Sequence, residues 1–137
     1  KYYHIIRENH LTDHVILRTD FIADNEVAYY FGASDMIVQP YKSATQSGVT
    51  QIAFNYNKPM LVTDVGGLGE TIPDGKVGYV VKPGPDAIAE AICDFYENDR
   101  CEFFTQNVIN EKEKFSWGNM VETIGIICDK IGNREGM

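Results

Sequence analysis

The sequence predicts an α/β fold, a doubly wound parallel sheet of the Rossmann-like kind in a single domain. Two short apolar runs that contain β-branched residues, Met36–Val38 and Met60–Thr63, have the composition of buried parallel strands. A loop rich in Ser, Thr, Gln or Gly follows each run and leads into a possible helix. Strands that alternate with helices in this way are typical of parallel sheets.

Three elements are predicted before the first of these runs. Residues 1–10 form a helix whose buried side carries Tyr2, Tyr3, Ile5 and Ile6. Val15–Leu17 is predicted to be a strand. A short helix over residues 25–33 follows, capped by Asp24 or Asn25, because carboxylate and amide oxygens accept hydrogen bonds from the free N–H groups of a helix start.

From residue 36 onward, strands and helices alternate, with a turn at Pro73-Asp74-Gly75. The predicted strands cover residues 36–39, 60–63 and 77–81. The predicted helices cover residues 47–57, a stretch that begins at residues 83–85, and residues 99–133 with a break near 115–118. The apolar side chains that recur at helical spacing are expected to point inward: Val49, Ile52, Ala53 and Tyr56 in one helix, and Ile88, Ala91, Ile92 and Phe95 in the next.

The composition indicates one globular domain without a membrane span. The chain has 137 residues, of which 44% are hydrophobic, and this suffices for one core but not for two. The net charge is −8, so nonspecific binding to nucleic acid is not expected. No run approaches 18 apolar residues, and a cytoplasmic location is expected.

The three cysteines indicate neither a metal site nor a disulfide framework. Cys93, Cys101 and Cys128 are odd in number and form no C-x-x-C motif. All three lie in sequence that is typical of helices, and we expect them to be buried structural thiols in a reducing compartment.

The stretch between Asp35 and Glu70 is the expected binding site. In open α/β sheets, ligands bind where loops leave the carboxyl ends of the strands, and a helix that starts there offers unpaired N–H groups to an anion such as phosphate. The stretch therefore predicts a nucleotide or phosphosugar site. The sequence contains no G-x-G-x-x-G motif, which argues against a dinucleotide. The chain opens on a helix instead of a strand, and we interpret it as a fragment of a longer protein.

The same stretch resembles the C-terminal, donor-binding domain of GT-B glycosyltransferases, in particular the retaining family-4 group. The matching phrases follow the family's order and spacing: Ala33-Ser34-Asp35, Pro40-Tyr41, Ser47-Gly48, Lys58-Pro59, Val65-Gly66-Gly67, Glu70, the strand phrase at residues 74–81, and Phe115-Ser116-Trp117 before the last helix. The resemblance implies that residues 1–137 are a single nucleotide-sugar-binding domain. It also implies that the first strand of this domain and the acceptor-binding domain are missing.

The resemblance further implies a function. The full-length protein would transfer a sugar from a nucleotide diphosphate sugar to a hydroxyl of a glycan or lipid-linked acceptor, in glycan or polysaccharide biosynthesis. No metal or other cofactor is expected, because helix N-termini and basic side chains can stabilise the leaving diphosphate. The expected location is the cytoplasm or the inner face of the membrane. The isolated chain is expected to bind the donor without transferring the sugar.

Each expected donor contact also has an ordinary structural interpretation. Thr45, Gln46, Ser47 and Gly48 would receive the diphosphate at a helix start, or would only form a capped turn. Gln51 would bind a ribose hydroxyl, and Lys42 a phosphate, or both would be solvated. Gly66 and Gly67 would allow close approach of a sugar, or would only supply positive φ angles. Glu70 would bind sugar hydroxyls or cap a short helix.

The sequence departs from the family at two positions. The family has two glutamates, one in the loop and one on the helix, where this chain has Ala44 and Ile52. The neighbouring Gln51 could replace the second glutamate. Two alternatives stay open: a sugar-nucleotide epimerase with the same fold, and a noncatalytic binding module if Ala44 and Ile52 mean that the chemistry is lost.

Overall fold

A three-stranded parallel sheet forms the centre of the fold. The computed structural model describes residues 2–113 and 117–132. The strands are β1 (Ile37–Gln39), β2 (Met60–Thr63) and β3 (Gly78–Val81), in the spatial order β1-β2-β3. Ile37 lies opposite Met60, and Met60 lies opposite Gly78, so β2 is the middle strand. The predicted parallel α/β class is confirmed.

Helices connect and flank these strands. Their bounds are α1 (Tyr2–Glu8), α2 (Asp24–Ala33), α3 (Gly48–Asn55), α4 (Leu68–Thr71), α5 (Pro85–Glu97), α6 (Arg100–Lys112) and α7 (Trp117–Gly132). The helix α3 connects β1 to β2, and α4 connects β2 to β3. The helix α5 returns against β2 and β3, while α6 packs against both α3 and α5.

The core lies around β2, whose four residues are all buried. Side chains from α3, α4 and α6 cover this strand. The buried hydrophobic cluster contains Ala53, Phe54, Met60, Val62, Leu68, Ile72, Val77 and Val108. Phe95 of α5 and Phe104 of α6 are also buried, with ring centroids 6.2 Å apart. Burial of such side chains contributes roughly 1.5–3 kcal/mol each, which explains why the apolar pattern at residues 60–63 predicted the strand correctly.

The pairing of β3 with β2 requires a glycine as the first residue of β3. Gly78 has φ +153°, and a Cβ atom there would lie 1.7 Å from the carbonyl oxygen of Met60. Any other residue would push the two strands apart, because backbone atoms cannot give way as a flexible side chain can.

Several predictions about the first 33 residues were wrong. Val15–Leu17 forms no strand, and Ile16 is 86% exposed. A strand needs a neighbour for its backbone hydrogen bonds, and none of the described strands lies beside this run. In α1, Tyr2, Tyr3 and Ile5 are exposed and Ile6 is half-buried, since no described element covers this helix.

The predicted cap of α2 was also wrong. The N-cap is Ala23, which has no side-chain hydrogen bond to give, and Asp24 is the first residue of the helix proper. Asp24 and Glu26 still place negative charge at the positive end of the helix dipole.

The cysteines lie on helices as predicted, but they are not buried. Cys93, Cys101 and Cys128 are all exposed and free. Helical periodicity showed where the helices are, whereas burial depends on which face another element covers. Ile52, which was predicted to point inward, is likewise 36% exposed.

The predicted last helical stretch contains two described helices, α6 and α7. The break predicted near residue 115 falls largely on residues 114–116, which lie outside the described residues. Among the described helices, none combines the length and the hydropathy that crossing a bilayer demands.

Candidate functional site

Three loops meet at the carboxyl edge of the sheet. They are residues 40–47 after β1, residues 64–67 after β2 and residues 82–84 after β3. Because parallel strands end at the same edge, the loops that leave them are neighbours in space. The first two contain six of the nine residues predicted to bind the donor. Of the other three, Gly48 and Gln51 lie on α3 and Glu70 lies on α4.

The first loop is fastened at both ends by buried hydroxyl groups. Thr63 Oγ1, at the end of β2, donates a 2.6 Å hydrogen bond to the carbonyl oxygen of Tyr41. At the other end, Gln39 Nε2 donates to Thr50 Oγ1 over 3.3 Å. Gln39, Thr50 and Thr63 are each no more than 2% exposed. The bond between Gln39 and Thr50 is buried and thus protected from competition with water, whereas the bond to Tyr41 is part-buried.

The first and second loops touch through their backbones. The N–H of Gly67 donates a 2.9 Å hydrogen bond to the carbonyl oxygen of Thr45. Gly66 has φ +55°, and a Cβ atom there would lie 1.6 Å from the carbonyl oxygen of Ala44. Gly66 therefore supplies both a positive φ angle and a close approach, and what it approaches is the backbone of the other loop.

The start of α3 lies at this junction and has free N–H groups. Ser47 is the N-cap, and its Oγ accepts a 3.2 Å hydrogen bond from the N–H of Val49. The capped turn that the sequence offered as the ordinary structural interpretation is therefore present, and the hydroxyl of Ser47 acts in it as an acceptor. In the described part of the chain, the backbone N–H groups of Gln46, Ser47 and Gly48 have no acceptor. Such groups at a helix start can bind an anion.

An acidic cleft opens beside the second loop. It has a volume of about 610 Å³ and is lined by Gly66, by Glu70 of α4, and by the carboxylates of Asp64 and Asp74. Asp74 Oδ1 accepts a 2.8 Å hydrogen bond from the N–H of Val80, and Asp64, Glu70 and Asp74 are all exposed. Carboxylates repel phosphate but accept hydrogen bonds from hydroxyl groups, so the cleft suits a neutral sugar.

Two predicted residues lie away from this cleft. Gln51 lines a separate cleft of about 420 Å³ between α2 and α3, together with Ile52, Asn55 and Tyr56. Lys42 lines a third, about 450 Å³ in volume, with Tyr41 and Pro83 and with Thr63 at its base. The structure thus places Thr45, Gln46, Gly66, Gly67 and Glu70 together, with Ser47 and Gly48 adjacent, and does not bring Gln51 or Lys42 to the same cleft.

Sequence reasoning missed Gln39, Thr50 and Asp64. Gln39 follows two apolar residues at the end of a strand, and a polar residue in a predicted buried strand was the signal available. Asp64 directly follows β2, which is the position at which side chains reach the binding edge. Among the described residues, no group of three or more His, Cys, Asp or Glu side chains could hold a metal ion.

The sequence model of the family described as "Glycosyl transferases group 1" matches residues 2–98. Among curated proteins, the chain is 31% identical over 116 residues to a D-inositol 3-phosphate glycosyltransferase of Paenarthrobacter aurescens. That match covers 83% of this chain and 28% of the relative, so the chain spans less than a third of the relative's length.

Solved structures share the fold. Sucrose-phosphate synthase from Thermosynechococcus elongatus superposes with a TM-score of 0.76 at 21% identity, over 97% of this chain and 34% of that one. HepE of Anabaena in complex with UDP gives a TM-score of 0.76 at 19% identity, over 94% of this chain and 36% of that one. Both superpositions show the fold, and the predicted fold is confirmed.

Proposed function

Because this chain belongs to the glycosyl transferases group 1 family, we propose that it binds the nucleotide diphosphate sugar donor of a glycosyltransferase. The observation that carries the proposal is the row of free N–H groups at Gln46, Ser47 and Gly48. They lie at the start of a helix and beside the glycine loop of residues 64–67. The neighbour HepE binds UDP in its solved structure, which supports a donor of this class.

The three parts of the donor are assigned to the helix start, to the acidic cleft and to the cleft further along α3. The diphosphate lies on the free N–H groups, where the positive end of the α3 dipole favours negative charge. The sugar lies in the acidic cleft, where Glu70 and Asp64 accept hydrogen bonds from its hydroxyl groups. The nucleoside lies in the cleft between α2 and α3, where the exposed carboxamide of Gln51 reaches a ribose hydroxyl.

Amide donors would also assist the reaction. As the bond between sugar and diphosphate breaks, negative charge grows on the leaving phosphate, and N–H groups that already point at it stabilise that charge. This chemistry requires no metal and no cofactor. It also compensates for Ala44 and Ile52, which stand where the family has carboxylates.

The whole protein, in this proposal, transfers the sugar to a hydroxyl of a glycan or lipid-linked acceptor, in polysaccharide biosynthesis in the cytoplasm or at the inner face of the membrane. Acceptor binding belongs to protein outside these 137 residues, since the curated relative is more than three times as long as the matched part. The first strand of the sheet belongs there as well. The chain alone binds the donor and does not turn it over.

Calorimetry with UDP-, GDP- and ADP-glucose tests the proposal. We expect one of the three to bind, and its nucleoside without phosphates to bind far more weakly, because the diphosphate makes the amide contacts. Absence of binding to all three would overturn the proposal.

A noncatalytic binding module is the second candidate, favoured by Ala44 and Ile52 alone. Absence of binding to all three nucleotide sugars would favour this module. The two differ in the full-length protein, where only a transferase releases nucleoside diphosphate from the donor when an acceptor is present.

A further inference from the structure

We propose that Gln39 and Thr50 are a positioning pair that holds the start of α3 in place for phosphate binding. The proposal rests on the proposed donor site and names two residues outside it. Neither side chain reaches the surface, since each is 2% exposed. Their effect on a ligand is therefore indirect, through the backbone of the loop and of the first helical turn.

The hydrogen bond between them joins the strand to the helix that carries the free N–H groups. Gln39 is the last residue of β1, and Thr50 is the third residue of α3. Gln39 Nε2 donates to Thr50 Oγ1 over 3.3 Å. Thr50 is tied to the N-cap as well, because its N–H donates to the carbonyl oxygen of Ser47 over 3.2 Å. The bond thus fixes the turn that contains Ser47 and Gly48.

The carboxamide of Gln39 is unusual for a side chain that only packs. Its Oε1 atom is buried and has no hydrogen-bond partner in the described part of the chain. A buried polar atom without a partner is unfavourable compared with an apolar residue of the same shape. Leucine or methionine would fill this position without that cost, so the useful part of the side chain is the Nε2 donor that meets Thr50.

The pair completes a set of anchors around residues 40–47. Thr63 holds the beginning of the loop through Tyr41, Gly67 holds its middle through Thr45, and Gln39 holds its end through Thr50. A loop fixed at three points presents its N–H groups without an ordering cost when the ligand binds.

The test compares Gln39→Met and Thr50→Val with the wild-type chain. Both variants keep the size of the side chain and remove the hydrogen bond. The probe is whichever of UDP, GDP and ADP the wild-type chain binds most tightly, measured by calorimetry, and the corresponding nucleoside is measured by NMR titration. We expect each variant to bind the diphosphate about tenfold more weakly and the nucleoside as the wild type does. The double variant is expected to lose no more than either single variant.

Two controls separate positioning from general destabilisation. Thr50→Ser keeps the hydroxyl and is expected to keep the wild-type affinity for the diphosphate. If Gln39→Met does not fold, the comparison of Thr50→Val with Thr50→Ser still tests the proposal. Tyr79→Phe removes a hydrogen bond far from the loop, and is expected to lower the melting temperature without changing the diphosphate affinity.

The outcomes distinguish this proposal from the one on which it rests. If the wild-type chain binds none of the three nucleotides, the donor site itself is refuted, and the positioning role with it. If the wild type binds but either single variant binds equally tightly, or if the two losses multiply in the double variant, only the positioning pair is refuted.

Discussion

The phenol of Tyr79 donates a 2.6 Å hydrogen bond to Asp94 Oδ2, and this bond joins β3 to α5. Arg100, at the start of α6, lies 3.5 Å from the same carboxylate oxygen. Burial is the main cause that raises the pKa of Tyr79 above its ordinary value of 10.0, with the bond to Asp94 adding to it. The bond from Tyr79 is the main cause that lowers the pKa of Asp94 below 3.8.

These shifts predict how the stability of Tyr79→Phe compares with that of the wild type as pH changes. A lowered carboxylate pKa stabilises the fold above pH 3.8, and this contribution disappears as pH falls through the lower folded value. A raised phenol pKa means that rising pH above 10.0 ionises the unfolded chain first and destabilises the fold. We therefore expect the wild type to be more stable than Tyr79→Phe between these limits.

Urea unfolding of both proteins at several pH values checks this expectation. The difference in unfolding free energy should be largest near neutral pH and should shrink below pH 3.8 and above pH 10.0. A difference that stays constant across the whole range would show that the hydrogen bond does not couple the two groups.

Gly66 is expected to tolerate no side chain. In Gly66→Ala, the Cβ atom would lie 1.6 Å from the carbonyl oxygen of Ala44, in addition to the penalty for φ +55°. We expect a loss of unfolding free energy above about 1 kcal/mol together with loss of nucleotide binding, since the two loops must separate. Gly75→Ala is the matched control: it has φ +69° and open space around it, so only the φ penalty applies.

Chemical denaturation and calorimetry on the two glycine variants decide the question. Gly75→Ala should keep the nucleotide affinity of the wild type. Equal stability and equal affinity in both variants would contradict the contact between the loops.

Residues 60–63 illustrate what the sequence could predict. All four residues of β2 are buried, so an unbroken apolar run was a sufficient signal. The glycine loop of residues 64–67 was predicted as part of the site for a related reason: loops at the carboxyl ends of parallel strands lie together whatever their length. In both cases the information is local in the sequence.

Val15–Leu17 and the cysteines illustrate what could not be predicted. Whether an apolar run becomes a strand depends on a neighbouring strand, and whether a helical thiol is buried depends on the element that covers it. Both are tertiary facts without a local signal. The contact between Gln39 and Thr50 was missed for the same reason, because residues 11 positions apart meet only when the helix folds back on the strand. A polar residue at the end of a buried strand was a local signal for Gln39 alone, and it did not identify the partner.

The exposed cysteines predict rapid chemical labelling. Cys93, Cys101 and Cys128 are free and exposed, so all three thiols should react with Ellman's reagent in the native chain. The number of thiols released before and after addition of urea measures this. Thiols that react only in urea would show that the cysteine faces are covered.

The variant Gly48→Ala should weaken nucleotide binding without lowering the stability of the fold. A Cβ atom at Gly48 would have nothing within 4 Å, and the residue is the first of α3. Alanine should therefore leave the stability unchanged or raise it by up to about 1 kcal/mol. It should nevertheless weaken nucleotide binding, because its methyl group lies beside the N–H groups that hold the diphosphate. Gly32→Ala in α2, which also has nothing within 4 Å, is the matched control and should not affect affinity.

The variant Glu70→Gln should show whether the carboxylate of Glu70 contacts the sugar or the phosphates of the donor. An ideal Cβ atom on Gly67 would lie 3.8 Å from Glu70 Oε2, which places the carboxylate beside the glycine loop. Glu70→Gln removes a strong acceptor for sugar hydroxyls and also a negative charge that repels phosphate. We expect the nucleotide sugar to bind roughly tenfold more weakly, the loss of about one charge-assisted hydrogen bond. The nucleoside diphosphate alone should bind as tightly as before or slightly more tightly.

Calorimetry with both ligands tests this difference, with Glu90→Gln on the exposed side of α5 as the matched control for the change in net charge. The control should leave both affinities unchanged. If Glu70→Gln weakens the diphosphate and the nucleotide sugar by the same factor, the carboxylate acts on the phosphates or on the fold. The acidic cleft would then not be the sugar site, because a sugar contact can only affect the ligand that carries a sugar.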